Sequence, residues 1–171
     1  MSGTTKVEAL HVSFRGAMRR LAATVCVITV GDREHSWGMT ATSVTSLTAD
    51  PPAVLVCINR SASIFSHVLQ RRKFCVNLLT HQHIEVSKAF SGSKRPEERF
   101  AFGTWRTREG IAPYLADAQA NIFCEIKRSL SFATHEIIIG AVCDVRLCQE
   151  VAPLIYQDGH YCAAAPLSAN L

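Results

Sequence analysis

The chain has 171 residues, 48% hydrophobic and 19% charged, with a formal charge of +4. That length suits about one domain burying roughly 70% of its unfolded surface, and the composition excludes a disordered, collagen-like or coiled-coil protein. The longest uncharged apolar run, residues 21–30, is about half of a membrane span, and no basic segment leads into an apolar one at the start, so neither a membrane nor a secreted protein is expected.

In chain order, Val7, Leu10, Phe14, Met18 and Leu21 recur at steps of three and four, which predicts an amphipathic helix. Thr5 and Glu8 have capping-box spacing and place its start near Lys6. Arg15, Arg19 and Arg20 fall largely off the stripe and read as a solvated face. Residues 24–30, a polar turn at 31–35 and residues 36–44 read as a hairpin. Asp50-Pro51-Pro52 breaks the ladder, and residues 53–58 form a short apolar strand. Residues 61–71 read as a second helix, capped by Ser61 or Ser63. A buried strand at 74–79, a short helix at 83–90 and a polar segment at 91–99 follow. Further on, Ala120, Ile122, Cys124 and Ile126 alternate, as do Ile137, Ile139, Ala141, Cys143, Val145 and Leu147. Asp158-Gly159 between Leu154-Ile155-Tyr156 and Tyr161-Cys162 is a type I′ hairpin signal. No linker or repeat interrupts the chain, so residues 1–171 are expected to form a single domain. Long alternating strands joined by tight turns favour a mainly β, antiparallel barrel with peripheral helices. No GxGxxG follows a strand, which disfavours a Rossmann fold.

The seven cysteines include no CxxC pair and most sit in apolar runs, as reduced core residues of a cytoplasmic protein would. His81-Gln82-His83 has no thiolate or carboxylate at zinc-site spacing, so no metal is expected. His67, His81, His83 and His160 read as structural. Arg71-Arg72-Lys73 and Lys127-Arg128 are scattered and not interleaved with aromatics, so nucleic acid is not an expected partner. The small positive excess would suit an anionic small ligand.

The most unusual stretch is residues 38–52, GMTATSVTSLTADPP, with six hydroxyl side chains (Thr40, Thr42, Ser43, Thr45, Ser46, Thr48) and no positive charge. Hydroxyls and backbone N–H groups at a strand-to-loop transition hold a phosphate or a planar polar ring. A Thr-rich strand and turn without a ligand is the alternative.

Phe14-Arg15-x-x-Met18-x-x-Leu21-Ala22-Ala23-x-Val25, the run from Gly38 to Pro52 and the following Val54-Leu55-Val56-Cys57-Ile58 resemble the opening of short-chain flavin reductases. The resemblance continues through Ser63, Phe74-x-Val76-Asn77-Leu78-Leu79, Glu98-Arg99-Phe100, His135-x4-Gly140-x-Val142 and Pro153-Leu154-Ile155-Tyr156-x-x-Gly159-x-Tyr161. It spans about residues 14–162 with the motifs in the family's order.

The resemblance implies an FMN-binding split barrel and a homodimer, with the flavin (FMN or FAD) in a groove near the subunit interface and NADH or NADPH as electron donor. It places Thr40, Ala41, Thr42 and Ser43 along the isoalloxazine ring, with Ser46 and Leu47 further along the same loop. Cys57, Ile58 and Asn59 would lie beside the ring, Ser63 near the ribityl phosphate, Arg99 at phosphate and Phe100 against the cofactor. His135 would lie near the nicotinamide, although Ala133-Thr134-His135 stands where the family often has Gly-Asp-His. Trp37 would shield the flavin edge or pack in the barrel, and Trp105 would anchor a surface loop. The implied function is an NAD(P)H-dependent flavin reductase passing reduced flavin to a monooxygenase component. A corrinoid reductase of cobalamin synthesis and a non-catalytic flavin-binding protein are the alternatives.

Overall fold

The computed structural model describes residues 3–32, 34–108 and 110–166. In chain order, helix α1 (Gly3–Met18) is followed by strands β1 (Ala23–Thr24), β2 (Cys26–Gly31), β3 (Ser36–Ala41), β4 (Val44–Ala49) and β5 (Pro52–Asn59). Helix α2 (Phe65–Arg71), strand β6 (Lys73–Leu78) and helix α3 (Ile84–Lys88) come next. The last half holds β7 (Trp105–Arg108), β8 (Ile111–Leu115), β9 (Ala120–Phe132), β10 (His135–Leu147), β11 (Leu154–Gln157) and β12 (His160–Ala163).

Seven strands form one antiparallel sheet in the order β3-β2-β6-β9-β10-β5-β4. Its two edge strands, β3 and β4, are separated in sequence only by Thr42 and Ser43. Three Cα steps reach about 11 Å, so the sheet has to curl until its edges meet at this link. The result is a split barrel. A three-stranded sheet, β1-β11-β12, and the pair β7-β8 lie beside it.

Strand β2 carries the packing. Cys26, Ile28 and Val30 join Val56, Ile58, Phe74, Val76, Ile126 and Ile138 inside the barrel, with Ile64 and Val68 packed against them. Val25 and Val27 enter a second core with Leu79, Val86, Phe90, Leu115 and Leu154. Fully burying each such Val, Leu or Ile stabilises the fold by about 1.5–3 kcal/mol. Between the cores sits a sealed polar cluster. Asn77 Nδ2 donates to the Val27 carbonyl at 2.8 Å and to Thr29 Oγ1 at 3.1 Å. Its Oδ1 accepts from Leu115 N and Asn121 Nδ2, both at 2.9 Å. The cluster pins β8 to the barrel wall.

Several expectations are corrected. The hydroxyl-rich run is not a loop after residue 44 but the edge strand β4, and the β7-β8 pair was not foreseen. The helix expected at 83–90 ends at Lys88, and a π-helical turn, Ala89–Ser93, and a 3-10 turn, Pro96–Ala101, overlap the polar segment 91–99. Helix α2 starts after Ile64 with no side-chain cap, so neither Ser61 nor Ser63 caps it. Helix α1 begins at Gly3 rather than near Lys6, and the Thr5 side chain of the expected cap is outside those described. In β10 the alternation holds but its face is reversed. Glu136, Ile138 and Gly140 point inward, while Ile137, Ile139 and Ala141 are half-covered on the outside. The stripe of α1 is likewise uncovered, with Leu10 66% and Phe14 59% exposed. Of the cysteines, Cys26, Cys75 and Cys124 are buried, whereas Cys143 and Cys148 are exposed.

Candidate active site

The link between β3 and β4 is fastened on both sides. Ser43 Oγ donates to the Cys57 carbonyl at 2.8 Å, and Cys57 N–H donates back to the Ser43 carbonyl at 3.1 Å. Thr40 Oγ1 donates to the Ser87 carbonyl at 2.7 Å. The buried Ser87 Oγ lies 2.9 Å from Tyr161 Oη. Among the described residues the Thr42 hydroxyl has no protein partner, although it stands between these two fastened positions.

Two grooves meet there. The smaller, about 300 Å³, is lined by Val25, Thr40, Ala41, Thr42, Ser87, Ser91, Tyr156 and Tyr161. The larger, about 840 Å³, lies between α1, the Thr42-Ser43 link and the β11-β12 hairpin. Thr42 and Tyr156 belong to both walls. Grooves of this size suit small molecules and cofactors, and the free Thr42 hydroxyl beside Tyr156 suits a planar polar ring.

The hairpin wall is held by its turn. Asp158 and Gly159 have φ of 48° and 85°, as a type I′ turn requires. A Cβ on Gly159 would stand 2.9 Å from Arg19 Nη2, so the glycine also makes room for the guanidinium. Arg19 Nε donates to Asp158 Oδ1 at 2.9 Å, and Asp158 N–H donates to the Arg19 carbonyl at 2.8 Å.

Arg99 and Ser63 converge at the start of β3. Arg99 Nη1 donates to the Gly38 carbonyl at 2.9 Å and reaches Ser63 Oγ at 3.4 Å. Gly38 has no alternative here, since a Cβ would sit 2.5 Å from the Phe90 ring. Phe100 is placed differently. It packs edge-on against Phe90 and Trp105, with centroids 5.1 and 5.0 Å away, and lines a separate groove with Trp37 and His35. Trp105 lies on β7 in this aromatic cluster rather than on a surface loop. Trp37 stacks on His67 at 3.7 Å.

On β5 the side chains alternate. Cys57 and Asn59 are half-exposed, while Ile58 is 1% exposed inside the barrel and offers a ligand only its backbone. His135 pairs directly opposite Asn59. Its Nδ1 lies 2.9 Å from Thr134 Oγ1. Glu136 faces away into the barrel, where hydrogen bonds from Ser131 and Ser129 hold its carboxyl below the usual range. Ser46 and Leu47 are not gathered at the junction. They lie along β4, where a register shift leaves Leu47 46% exposed.

The structure thus brings Thr40, Ala41, Thr42 and Ser43 to one junction, fastens Ser43 to Cys57, and joins Ser63 to Arg99. It sets His135 beside Asn59 and leaves Ser46, Leu47 and Phe100 apart. Ser87, Tyr156 and Tyr161 were not singled out. The tyrosines stand in the quoted hairpin motif, but Ser87 meets Tyr161 across 74 residues, and no local pattern signals that contact.

Comparison with known proteins agrees with this architecture. The model of the flavin reductase like domain matches residues 18–165. The reductase component of an FADH(2)-dependent resorcinol hydroxylase from Rhizobium sp. is 42% identical over 163 residues, covering 93% of this chain and 90% of that protein. An FMN reductase (NADH) RutF from Acinetobacter baylyi is 39% identical, covering 88% and 80%. The solved structure of NADH:FAD oxidoreductase SgcE6 from Streptomyces globisporus, in complex with NAD and FAD fragments, superposes with a TM-score of 0.84 at 27% identity, over 94% of this chain and 95% of that one. The chain belongs to the flavin reductase like domain family.

Proposed function

We propose that this protein is the NAD(P)H-dependent flavin reductase of a two-component system, supplying reduced flavin to a separate monooxygenase. The observation that carries this reading is the 42% identity, over 93% of the chain, to a reductase component of a hydroxylase. The hydroxyl-lined junction at Thr42 supports it from within the chain. The flavin, when bound, takes a hydride from the nicotinamide and carries both electrons onward.

The residues then divide the work. Thr40, Ala41, Thr42 and Ser43 hold the ring through hydroxyl and backbone groups. Neutral donors there tune the charge that gathers on the reduced ring without quenching it. Cys57 and Asn59 flank it, with Ile58 contributing backbone alone. Ser63 and Arg99 serve the phosphate, since a guanidinium binds phosphate through paired hydrogen bonds. His135 aligns the nicotinamide and is not required to move a proton. Phe100 acts by backing Phe90 and Gly38, and Ser46 and Leu47 contribute at the far end of β4.

The whole chain is read as one domain working as a cytoplasmic homodimer. Exposed Leu10 and Phe14 on α1, Phe132 at 73% exposure and the outward apolar face of β10 support a second copy covering them. The buried free thiols of Cys26, Cys75 and Cys124 suit a reducing compartment. Among the described residues no helix is long and apolar enough to cross a membrane.

The test is an anaerobic stopped-flow reaction of purified protein with FMN or FAD and NADH or NADPH. Bleaching of the band near roughly 450 nm is expected, and the preferred pair names the cofactors. No spectral change with either nucleotide defeats the reductase reading and leaves a flavin-binding protein. A Co(II) corrinoid reduced faster than free reduced flavin achieves would replace the monooxygenase by the corrinoid acceptor. His135→Ala is expected to raise KM for the nucleotide about tenfold, the loss of about 1.4 kcal/mol of binding, with flavin affinity nearly intact.

A further inference from the structure

A third groove, of about 460 Å³, opens between the β2-β3 turn, the 3-10 turn Pro96–Ala101 and β7. It shares no lining residue with the two grooves that meet at Thr42. Its aromatic walls are Trp37, Phe100 and Trp105, and Glu34 and Glu97 stand exposed at its edge. Among the described residues no lysine or arginine lines it, and His35 is the one lining group that can carry positive charge. The rings are held in place. Trp105 Nε1 donates to the Phe102 carbonyl at 2.7 Å, and its ring packs against Phe90 and Phe100. Trp37 is fixed by its stack on His67. The nearby guanidiniums are already engaged. Arg71, over the Trp37 ring, bonds Asp32 at 2.6 Å, and Arg95, 3.6 Å from Glu97, bonds Glu98 at 2.7 Å. Glu34 makes no ion pair among the described residues.

We propose that this groove binds a small organic cation with an aromatic body. Its volume suits a small molecule, and flat aromatic walls stack a ring. The faces of Trp and Phe attract a cation through the negative charge above the ring, the more so where water is excluded. Glu34 and Glu97 add an attraction that a neutral ring does not use and that an anion meets as repulsion. Because the rings are fixed before the ligand arrives, binding orders few side chains. Flavin and nicotinamide nucleotides carry phosphate, so these carboxylates select against them. The site therefore stands apart from the proposed reductase reading and does not depend on it.

The sequence has two tryptophans, Trp37 and Trp105, and both line this groove, so intrinsic fluorescence reads its occupancy directly. The experiment titrates the purified protein with benzyltrimethylammonium, benzyl alcohol and benzoate, which share one ring and differ in charge. A saturable change in tryptophan emission is expected with the cation, at about tenfold higher affinity than with the alcohol, and none with benzoate. The double substitution Glu34→Gln and Glu97→Gln is expected to weaken the cation about threefold to tenfold. Its affinity for FMN is expected to be unchanged, which shows that the fold is intact. No saturable change with benzyltrimethylammonium, equal affinity for all three probes, or full affinity for the cation in the double variant would overturn the assignment. Displacement of the cation by FAD but not by FMN would also overturn it, since the groove would then belong to the adenylate of the cofactor.

Discussion

Two clusters of small polar side chains stand on neighbouring strands of one sheet, and they differ in closure. Asn77, Thr29 and Asn121 lie between two cores, and each amide or hydroxyl is engaged within the protein. Thr40, Thr42 and Ser43 form the rim of two grooves, with Thr40 and Ser43 bonded to carbonyls and the Thr42 hydroxyl without a partner among the described residues. The chemistry of the residues is nearly the same, and only closure separates them. A sealed polar cluster specifies which strands meet, whereas an open one is left to meet something that is not protein.

Breaking the sealed side gives the largest effect. Asn77→Ala strands the Val27 carbonyl and the Leu115 N–H in a dry interior. A loss of about 3 kcal/mol or more is expected, read from urea unfolding. On the open side, Thr42→Ala is expected to leave the unfolding midpoint in place and to weaken flavin binding about threefold to tenfold, read from quenching of flavin fluorescence. Should Thr42→Ala unfold the protein while Asn77→Ala does not, the distinction between the clusters collapses.

A smaller effect is expected at the turn between β9 and β10. Ala133 has φ of 48°, a conformation that costs an alanine about 1 kcal/mol. Ala133→Gly is expected to gain about 0.5 kcal/mol after the glycine's extra unfolded freedom is subtracted, with thermal unfolding as the measure. The smallest effect concerns acid. N–H groups of His35 and Glu34, with help from Arg71, lower the Asp32 carboxyl from its ordinary 3.8 to about 2. A depressed folded pKa stabilises above the unfolded value, so this contribution is present above about pH 4 and disappears as pH falls towards 2. Asp32→Asn is expected to flatten the pH dependence of the urea midpoint in that window.

What the sequence disclosed follows the same division between local and distant contacts. The β11-β12 hairpin was legible because its turn needs a particular residue pair, and β2, β5 and β6 because their apolar runs stand out, although only β2 and β6 are buried on both faces. Strand β4 was hidden, since five of its six residues face solvent and a bulge at Leu47 breaks its period. In β10 the period was right and the buried face wrong. Glu136 and Gly140 occupy inward positions because Ser131 satisfies the one and Phe74 fills the space left by the other. The junction at Thr40–Ser43 was legible from its hydroxyl density and its resemblance to a family. Ser87 was not, because only tertiary packing brings it to that junction.

The pairing of β1 with β11 has a consequence for the order of assembly. Ala23 meets Tyr156 across most of the chain, whereas β9 and β10 are joined by a two-residue turn. Loop closure of the first kind is slow and of the second fast. The larger groove has no second wall until Tyr156 and Asp158 dock, so it is completed after the long β9-β10 hairpin closes.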